Sequence, residues 1–136
     1  MRIRNMGMDI IPTGYLLIGD GPLTTAAYMS HCLPIPSNKP DIAVATAVAG
    51  EMLGLQVMFL DAGSGANQSI SPSTIHAVRK AVSCPIIAGG GINDAAGIEA
   101  AWHAGADMVV IGHAIEGRPF QLDWLPRPET FKQAAL

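Results

Sequence analysis

The chain has 136 residues, a net charge of −3 and 49% apolar residues, but only 14% charged residues, against about 25% in an ordinary soluble domain. This composition excludes intrinsic disorder and a nucleic-acid binder that works through a basic surface. There is no apolar run of membrane-spanning length, no apolar signal-peptide core and, with two cysteines, no disulfide framework, so we expect a cytoplasmic protein without a transmembrane segment.

The first half of the chain contains two predicted strands and one predicted helix. The first strand spans residues 9–18, and turn chemistry at 19–22 leads into a polar, proline-containing loop from 23 to 40. A helix begins at Pro40 or Asp41 and ends near Leu53, before Gly54. Its residues are alanine- and valine-rich on nearly every face, which predicts that it is mostly buried. The second strand covers residues 56–61.

The second half repeats the pattern twice. After a loop at 62–66, Ser71 starts a helix that ends near Val82, and the third strand covers residues 85–88. Asn93 or Asp94 caps the next helix, which ends near His103, and the fourth strand covers residues 107–111. Residues 117–136 form a tail with three prolines and an amphipathic segment at 129–136.

Continuous apolar strands that alternate with helices predict an α/β fold with a parallel sheet. Two architectures use such units, an open doubly wound sheet and a closed (βα)8 TIM barrel. No dinucleotide-binding fingerprint follows the first strand. The low charge and the 15 glycines indicate that the chain forms the interior of a larger structure.

Glycines follow the last two predicted strands, at 89–91 and at Gly112, beside His113. In barrels, a phosphate is often bound by the loops after strands seven and eight, because small residues let backbone N–H groups approach the anion. We interpret these corners as a phosphate site; the alternative is that they only make tight turns. Flavin-phosphate and sugar-phosphate enzymes share this signal, so it does not select a reaction.

Asp61 is the one carboxylate at the end of a buried strand, which suggests a base or a group that orients a hydroxyl. It could instead accept N–H groups of the loop at 63–65. Ser64 could donate to a phosphate or cap a turn, and Tyr15 could point into the site or fill the core. For Lys39, a solvated position is favoured over a phosphate contact. No two histidines have metal-ligand spacing, so we predict no metal site in this chain.

Five segments in order resemble the geranylgeranylglyceryl phosphate synthase family: IPTGYLLI at 11–18, IPSNKPDIA at 35–43, FLDAGSGA at 59–66, IIAGGGI at 86–92 and VVIGHAIE at 109–116. The resemblance implies a (βα)8 barrel. Residues 1–116 would then be its C-terminal half, about four βα units with strands five to eight, and residues 117–136 a divergent, partly helical tail.

The resemblance also implies a reaction. Family members join the primary hydroxyl of sn-glycerol 1-phosphate to a polyprenyl diphosphate with Mg²⁺, which gives an ether lipid precursor. Asp61 would be catalytic, and glycerol phosphate would be bound by Tyr15, Phe59, Ser64, Gly90, Gly91, Gly112 and His113. This chain departs from the family at three of these positions, since Phe59 stands where Tyr is usual, Asp61 where Glu is commoner and His113 where Asn is usual.

The family's first four strands have no counterpart here, and the magnesium-binding aspartate lies among them. We therefore expect the Mg²⁺ ligands in the missing N-terminal half, and an isolated chain that is inactive or nearly so. Two open sheet edges and a bare apolar face predict a homo-oligomer or pairing with a missing half-barrel. The lipid product implies peripheral membrane contact. The alternatives are another phosphate-binding barrel enzyme, for example a flavin-dependent one, and a non-catalytic remnant.

Overall fold

The computed structural model describes residues 6–21, 24–116 and 123–126. Its sheet has four parallel strands in the order β1-β2-β3-β4: β1 (Thr13–Leu17), β2 (Val57–Asp61), β3 (Ile86–Gly89) and β4 (Met108–Val110). The helices of the described residues are α1 (Thr25–Ser30), α2 (Pro40–Met52), α3 (Pro72–Ala81), α4 (Ala95–His103) and α5 (His113–Glu116). The predicted parallel α/β fold is confirmed. Within this described part, no helix has the length and apolar character needed to span a membrane.

Local capping signals set the helix ends. Pro40 occupies the first turn of α2, and the Ser71 hydroxyl accepts a hydrogen bond from the Thr74 N–H at 3.2 Å at the start of α3. Of the two candidate caps of α4, the Asp94 carboxylate is the one used, since it accepts from the Gly97 N–H at 2.8 Å. Each cap satisfies a backbone donor that the helix leaves free.

Two predictions about the elements are wrong, and one short helix is missing from the predicted elements. The first strand begins at Thr13 rather than residue 9, because β2, its pairing partner, begins only at Val57. The loop predicted at 23–40 contains α1, which Thr24 caps through the Ala27 N–H at 3.2 Å. The missing element is the four-residue helix α5, which two residues separate from the end of β4.

The helix α2 is also less buried than predicted. Only one stripe of it, Ala43, Ala47 and Gly50, is buried. This stripe faces β1, β2 and α3, whereas other apolar positions remain exposed, with Met52 at 84%. An alanine-rich helix therefore lies on the outer surface of the sheet and contacts the core through its smallest side chains.

The two faces of the sheet differ in burial. On the face that contacts α2 and α4, the strand side chains are almost completely buried and form the core: Leu16, Met58, Leu60, Ile86 and Ala88. On the other face, Tyr15 is 49% exposed, Met108 48% and Val110 46%. Parallel sheets are normally covered on both faces, so this face is unusually open.

Hydrogen bonds secure the amino-terminal edge of the sheet. The Glu51 carboxylate at the end of α2 accepts from the Ser83 N–H at 2.8 Å, the Ser83 hydroxyl at 2.7 Å and the Cys84 N–H at 2.9 Å. Asp107, just before β4, accepts from the Ile86 N–H at 2.7 Å and from Arg79 at 3.2 Å. The candidate functional residues lie at the opposite, carboxyl-terminal edge.

The predicted tail lies mostly outside the described residues, and so does its amphipathic segment at 129–136. Within 123–126, Trp124 and Leu125 pack against the core as partly buried side chains.

Candidate active site

A cleft of about 400 Å³ opens at the carboxyl ends of β2, β3 and β4. It is lined by most of the residues that the sequence singled out, together with neighbours from the same loops: Phe59, Asp61, Ser64, Gly65, Ala66, Asn67, Gly90, Gly91, Ile92, Asn93, Val110, Gly112 and His113. Parallel strands bring their carboxyl ends to one edge, so loops far apart in sequence meet there. Of the predicted site residues, only Tyr15 is not part of the lining.

Tyr15 reaches the cleft indirectly, through Asp61. Its hydroxyl donates a short hydrogen bond to Asp61 Oδ2, from β1 to the end of β2. The other oxygen, Oδ1, accepts from the Gly63 N–H at 2.9 Å. The alternative role considered for Asp61, acceptor for the following loop, is therefore present, and it fixes the carboxylate beside the cleft.

Within the Tyr15–Asp61 pair, the phenol of Tyr15 is the hydrogen-bond donor. Partial burial, the hydrogen bond to Asp61 and the negative charge of that carboxylate, in this order, raise the pKa of Tyr15 above its usual range. The phenol therefore stays protonated and acts as a donor at physiological pH. An ionised carboxylate has about four acceptor positions. Tyr15 and Gly63 use two of them, so Asp61 can still accept a hydrogen bond from a ligand.

Phe59 supports this pair from β2. Its ring meets that of Tyr15 edge to face, with centroids 5.4 Å apart and planes at 89°. This arrangement is favourable for aromatic pairs. Phe59 thereby helps to hold the Tyr15 ring in place while lining the cleft itself.

The glycines at the ends of β3 and β4 differ in how much space there is for a side chain. Gly90 and Gly91 have φ of +79° and +68°, values that favour glycine. A Cβ on Gly90 would lie 2.7 Å from Asp61 Oδ1, and one on Gly91 would lie 2.6 Å from the Gln68 carbonyl. Both positions therefore require glycine for their backbone conformation and packing, whether or not a phosphate also binds there. At Gly112 the nearest atom to such a Cβ is Glu116 Oε1 at 3.9 Å, so this corner is open to a ligand.

The remaining predicted residues occupy exposed positions. Ser64 lies in the loop after β2, and His113 follows Gly112 as the first residue of α5. Lys39 is exposed before α2 and is not part of the cleft lining, in agreement with the solvated position favoured for it.

Sequence reasoning missed two amides in the lining, Asn67 and Asn93. Asn93 is a candidate cap of α4 in the sequence, but its side-chain amide instead donates to the Gly91 carbonyl at 3.3 Å. Their positions, directly after the glycine-containing loops, were the available signal.

The described residues do not form a magnesium site. They contain no group of three or more His, Cys, Asp or Glu side chains that could hold a metal ion. Of the described residues that line the cleft, Asp61 is the only carboxylate, and both of its oxygens are hydrogen-bonded. Mg²⁺ prefers several oxygen ligands in near-octahedral geometry, which one engaged carboxylate does not supply.

Comparison with known sequences identifies the family. The sequence profile described as the PcrB family matches residues 1–125. The chain belongs to the PcrB family. It is 50% identical over 128 residues to the geranylgeranylglyceryl phosphate synthase of Spirosoma linguale, a match that covers 94% of this chain. With the enzyme of the same name from Chitinophaga pinensis it shares 53% over 114 residues, or 84% of this chain. The resemblance seen in the five motifs is confirmed.

These matches cover 50% and 45% of the two relatives, so the PcrB family chain described here spans about half the length of the curated relatives it matches. Solved structures give the same proportion. The (S)-3-O-geranylgeranylglyceryl phosphate synthase of Thermoplasma acidophilum, in complex with sn-glycerol-1-phosphate, aligns with a TM-score of 0.79 and 25% identity, over 98% of this chain and 49% of that one. The wild-type enzyme of Thermoplasma volcanium aligns with a TM-score of 0.76 and 31% identity, over 83% and 45%.

Proposed function

We propose that this chain is the glycerol-phosphate half of a prenyltransferase. In this proposal, the cleft binds sn-glycerol 1-phosphate, and Asp61 accepts the proton of its primary hydroxyl while a polyprenyl group is transferred to the oxygen. The observation that carries the proposal is that the Gly90 and Gly112 corners and the Tyr15–Asp61 pair meet at one cleft. It is supported by the structural relative that was solved with this glycerol phosphate.

The cleft suits a small phosphorylated alcohol. Its volume of about 400 Å³ lies at the lower end of the range of about 300–1,000 Å³ for small-molecule sites. Backbone N–H groups at Gly91 and Gly112 and the Ser64 hydroxyl would hold the phosphate, since glycine lets an anion approach the backbone closely. The glycerol end would then extend toward Asp61.

In the proposed transfer step, Asp61 and Tyr15 have different roles. The glycerol oxygen forms a bond to C1 of the polyprenyl diphosphate, the bond from C1 to the diphosphate oxygen breaks, and the diphosphate leaves with the bonding electron pair. The hydroxyl proton passes to Asp61. Tyr15, kept protonated, holds the carboxylate at a fixed position and acts as a positioning residue. Fixed orientation and proton transfer are recognised contributions to such a rate.

We further propose that the chain is half of a (βα)8 barrel. The support is the open sheet face and the outer edges of β1 and β4. Among the described residues, no strand pairs with the β4 edge, and the β1 edge has a single bridge, between Ile18 and Ile35. A complementary half would cover this face and supply the polyprenyl diphosphate site and the Mg²⁺ ligands. We expect light scattering to find the chain paired rather than as a well-behaved monomer. Its cytoplasmic location stays a prediction.

Calorimetry with the isolated chain tests the binding step. We expect it to bind sn-glycerol 1-phosphate, and neither glycerol nor flavin mononucleotide. Binding of the flavin alone would identify a different phosphate-binding enzyme, and no binding of either ligand would indicate a non-catalytic remnant. Each of these results would overturn the proposal.

A transfer assay tests the chemistry. The chain is mixed with the amino-terminal half of a full-length relative, polyprenyl diphosphate and Mg²⁺. We expect Asp61→Asn to lower transfer by about 10²–10⁴-fold, the usual contribution of proton transfer, while glycerol phosphate binding persists. Asp41→Asn, at an exposed carboxylate on α2, is the matched control and should leave transfer unchanged. Equal rates for the two variants would contradict the role of Asp61.

A further inference from the structure

One oxygen of Asp61 is held by a glycine amide. Oδ1 accepts from the Gly63 N–H at 2.9 Å, and Gly63 is buried with a φ of +95°. Glycine adopts many backbone conformations at similar cost. The direction of this N–H is therefore not fixed by Gly63 itself, and the atoms packed against Gly63 must set it.

Those atoms belong to Thr24 and Leu17. A Cβ on Gly63 would lie 2.7 Å from Thr24 Cγ2, 3.5 Å from Thr24 Cβ and 3.8 Å from Leu17 Cδ1. The methyl group of Thr24 therefore fills the space that a side chain at position 63 would occupy. Because packed atoms exclude one another from the same volume, this methyl group limits the conformations that are open to Gly63.

The side chain of Thr24 makes two separate contacts. Its hydroxyl accepts from the Ala27 N–H at 3.2 Å and caps α1, whereas its methyl group packs against Gly63. Within α1 only Ala27 is buried, and Tyr28 and Met29 are 71% and 72% exposed. The hydroxyl therefore stabilises α1, and the methyl group connects the start of this exposed helix to the Asp61 loop.

We infer that Thr24 is a positioning residue for the transfer reaction, because its methyl group keeps the Gly63 N–H directed at Asp61. The inference rests on the proposed function. Thr24 is not among the described residues that line the candidate active site, so it acts on the reaction through Gly63. The Gly63 N–H and the Tyr15 hydroxyl then hold one oxygen of Asp61 each, and the carboxylate keeps the orientation in which it accepts the hydroxyl proton.

The expected effect is on the rate and not on substrate binding. Misplacement by 1 Å can lower a rate by about 10²-fold. Loss of the Thr24 methyl group leaves the Tyr15 hydrogen bond to Asp61 in place, so we expect a smaller loss of about 10-fold in kcat. The KM for glycerol phosphate should stay within about twofold, because the proposed phosphate contacts at Gly91 and Gly112 come from other loops.

Thr24→Ser tests the methyl group, because it keeps the capping hydroxyl. We expect the loss in kcat in the transfer assay with the amino-terminal half of a full-length relative. In NMR spectra of the ¹⁵N-labelled chain, the Gly63 amide proton should move upfield, toward its position in Asp61→Ala, since a hydrogen-bonded amide proton resonates downfield. Thr25→Ser, the same change at the exposed neighbouring residue, is the matched control and should leave both readouts unchanged.

Thr24→Val tests the hydroxyl, because it keeps a methyl group against Gly63 and removes the cap. Valine is a poor N-cap residue, so the midpoint of urea unfolding should fall. The kcat should nevertheless recover to near that of the unaltered chain, and the Gly63 amide proton should stay downfield. A role of Thr24 in capping alone predicts the opposite order, with Thr24→Val slower than Thr24→Ser.

The outcomes separate this inference from the function that it rests on. The opposite order of rates, or an unmoved Gly63 amide proton in Thr24→Ser, would overturn the role of Thr24 and leave the proposed function standing. If the unaltered chain neither binds glycerol phosphate in calorimetry nor supports transfer, the proposed function is overturned. The Gly63 amide proton then still shows whether Thr24 holds the Asp61 loop.

Discussion

Gly90 offers a direct test of how closely the site is packed. Its φ of +79° and the short distances to a Cβ, 2.7 Å to Asp61 Oδ1 and to the Gly63 nitrogen and 2.8 Å to the Ala62 nitrogen, oppose any larger residue. Two of these three atoms belong to the backbone, so they cannot rotate away. The left-handed conformation costs an L-residue about 1–2 kcal/mol, and overpacking typically costs about 1–3 kcal/mol.

We therefore expect Gly90→Ala to lower the free energy of unfolding by about 2–5 kcal/mol, as measured by urea unfolding followed by circular dichroism. It should also weaken glycerol phosphate binding, because the Asp61 corner must move.

Gly54→Ala is the matched control. This residue has a φ of +87°, and a Cβ there would have no heavy atom within 4 Å. It carries the same backbone strain without a contact, so its loss should be about 1–2 kcal/mol, with binding intact. Equal losses for the two variants would refute the argument that Gly90 packs against the Asp61 corner.

Three further predictions concern single side chains. Phe59→Tyr adds a hydroxyl beside the cleft and should strengthen glycerol phosphate binding about 2–10-fold in calorimetry, since a net hydrogen bond contributes about 0.5–1.5 kcal/mol; unchanged binding contradicts this. The pKa of Tyr15 is raised in the folded chain, so the unfolded chain loses the Tyr15 proton at a lower pH than the folded chain does. The free energy of unfolding should therefore fall as pH rises above about 10. Tyr15→Phe should make this fall shallower, as measured by the midpoint of urea unfolding at each pH. Hydrogen bonds from Ser83 and Cys84 lower the pKa of Glu51. The stability that Glu51 contributes is therefore present above about pH 4 and is lost as pH falls further. Glu51→Gln should lose less stability than the unaltered chain as the pH is lowered. For either pH prediction, the same slope in variant and unaltered chain counts against the assigned cause.

The parts of the fold that could be predicted are those determined by residues close by in the sequence. Helices α2, α3 and α4 begin at Pro40, Ser71 and Asp94 because a proline or a capping oxygen acts within one turn of its own position. The extent of β1 could not be read in this way, because it depends on where β2 begins. Burial on α2 depends on which face meets the sheet, and an alanine-rich sequence does not mark one face.

The site shows the same division. Asp61, Gly90 and Gly112 could be singled out because each follows a predicted strand, and parallel strands end at one edge. The Tyr15–Asp61 bond could not be derived, since it requires the register that places Leu17 opposite Asp61. Asn67 and Asn93 each follow a glycine-containing loop, but this position does not show that the side chain lines the cleft until the loop conformation is known.

The hydrogen bonds at the amino-terminal edge of the sheet have a consequence for redesign. Glu51 and Asp107 stabilise that edge, whereas the cleft lies at the opposite edge. Exposed loop positions beside the cleft that are not tightly packed glycines, such as Ser64 and Asn67, can therefore be randomised to seek new ligands. Because these changes leave Glu51 and Asp107 untouched, a library screened for altered specificity should lose few members to misfolding.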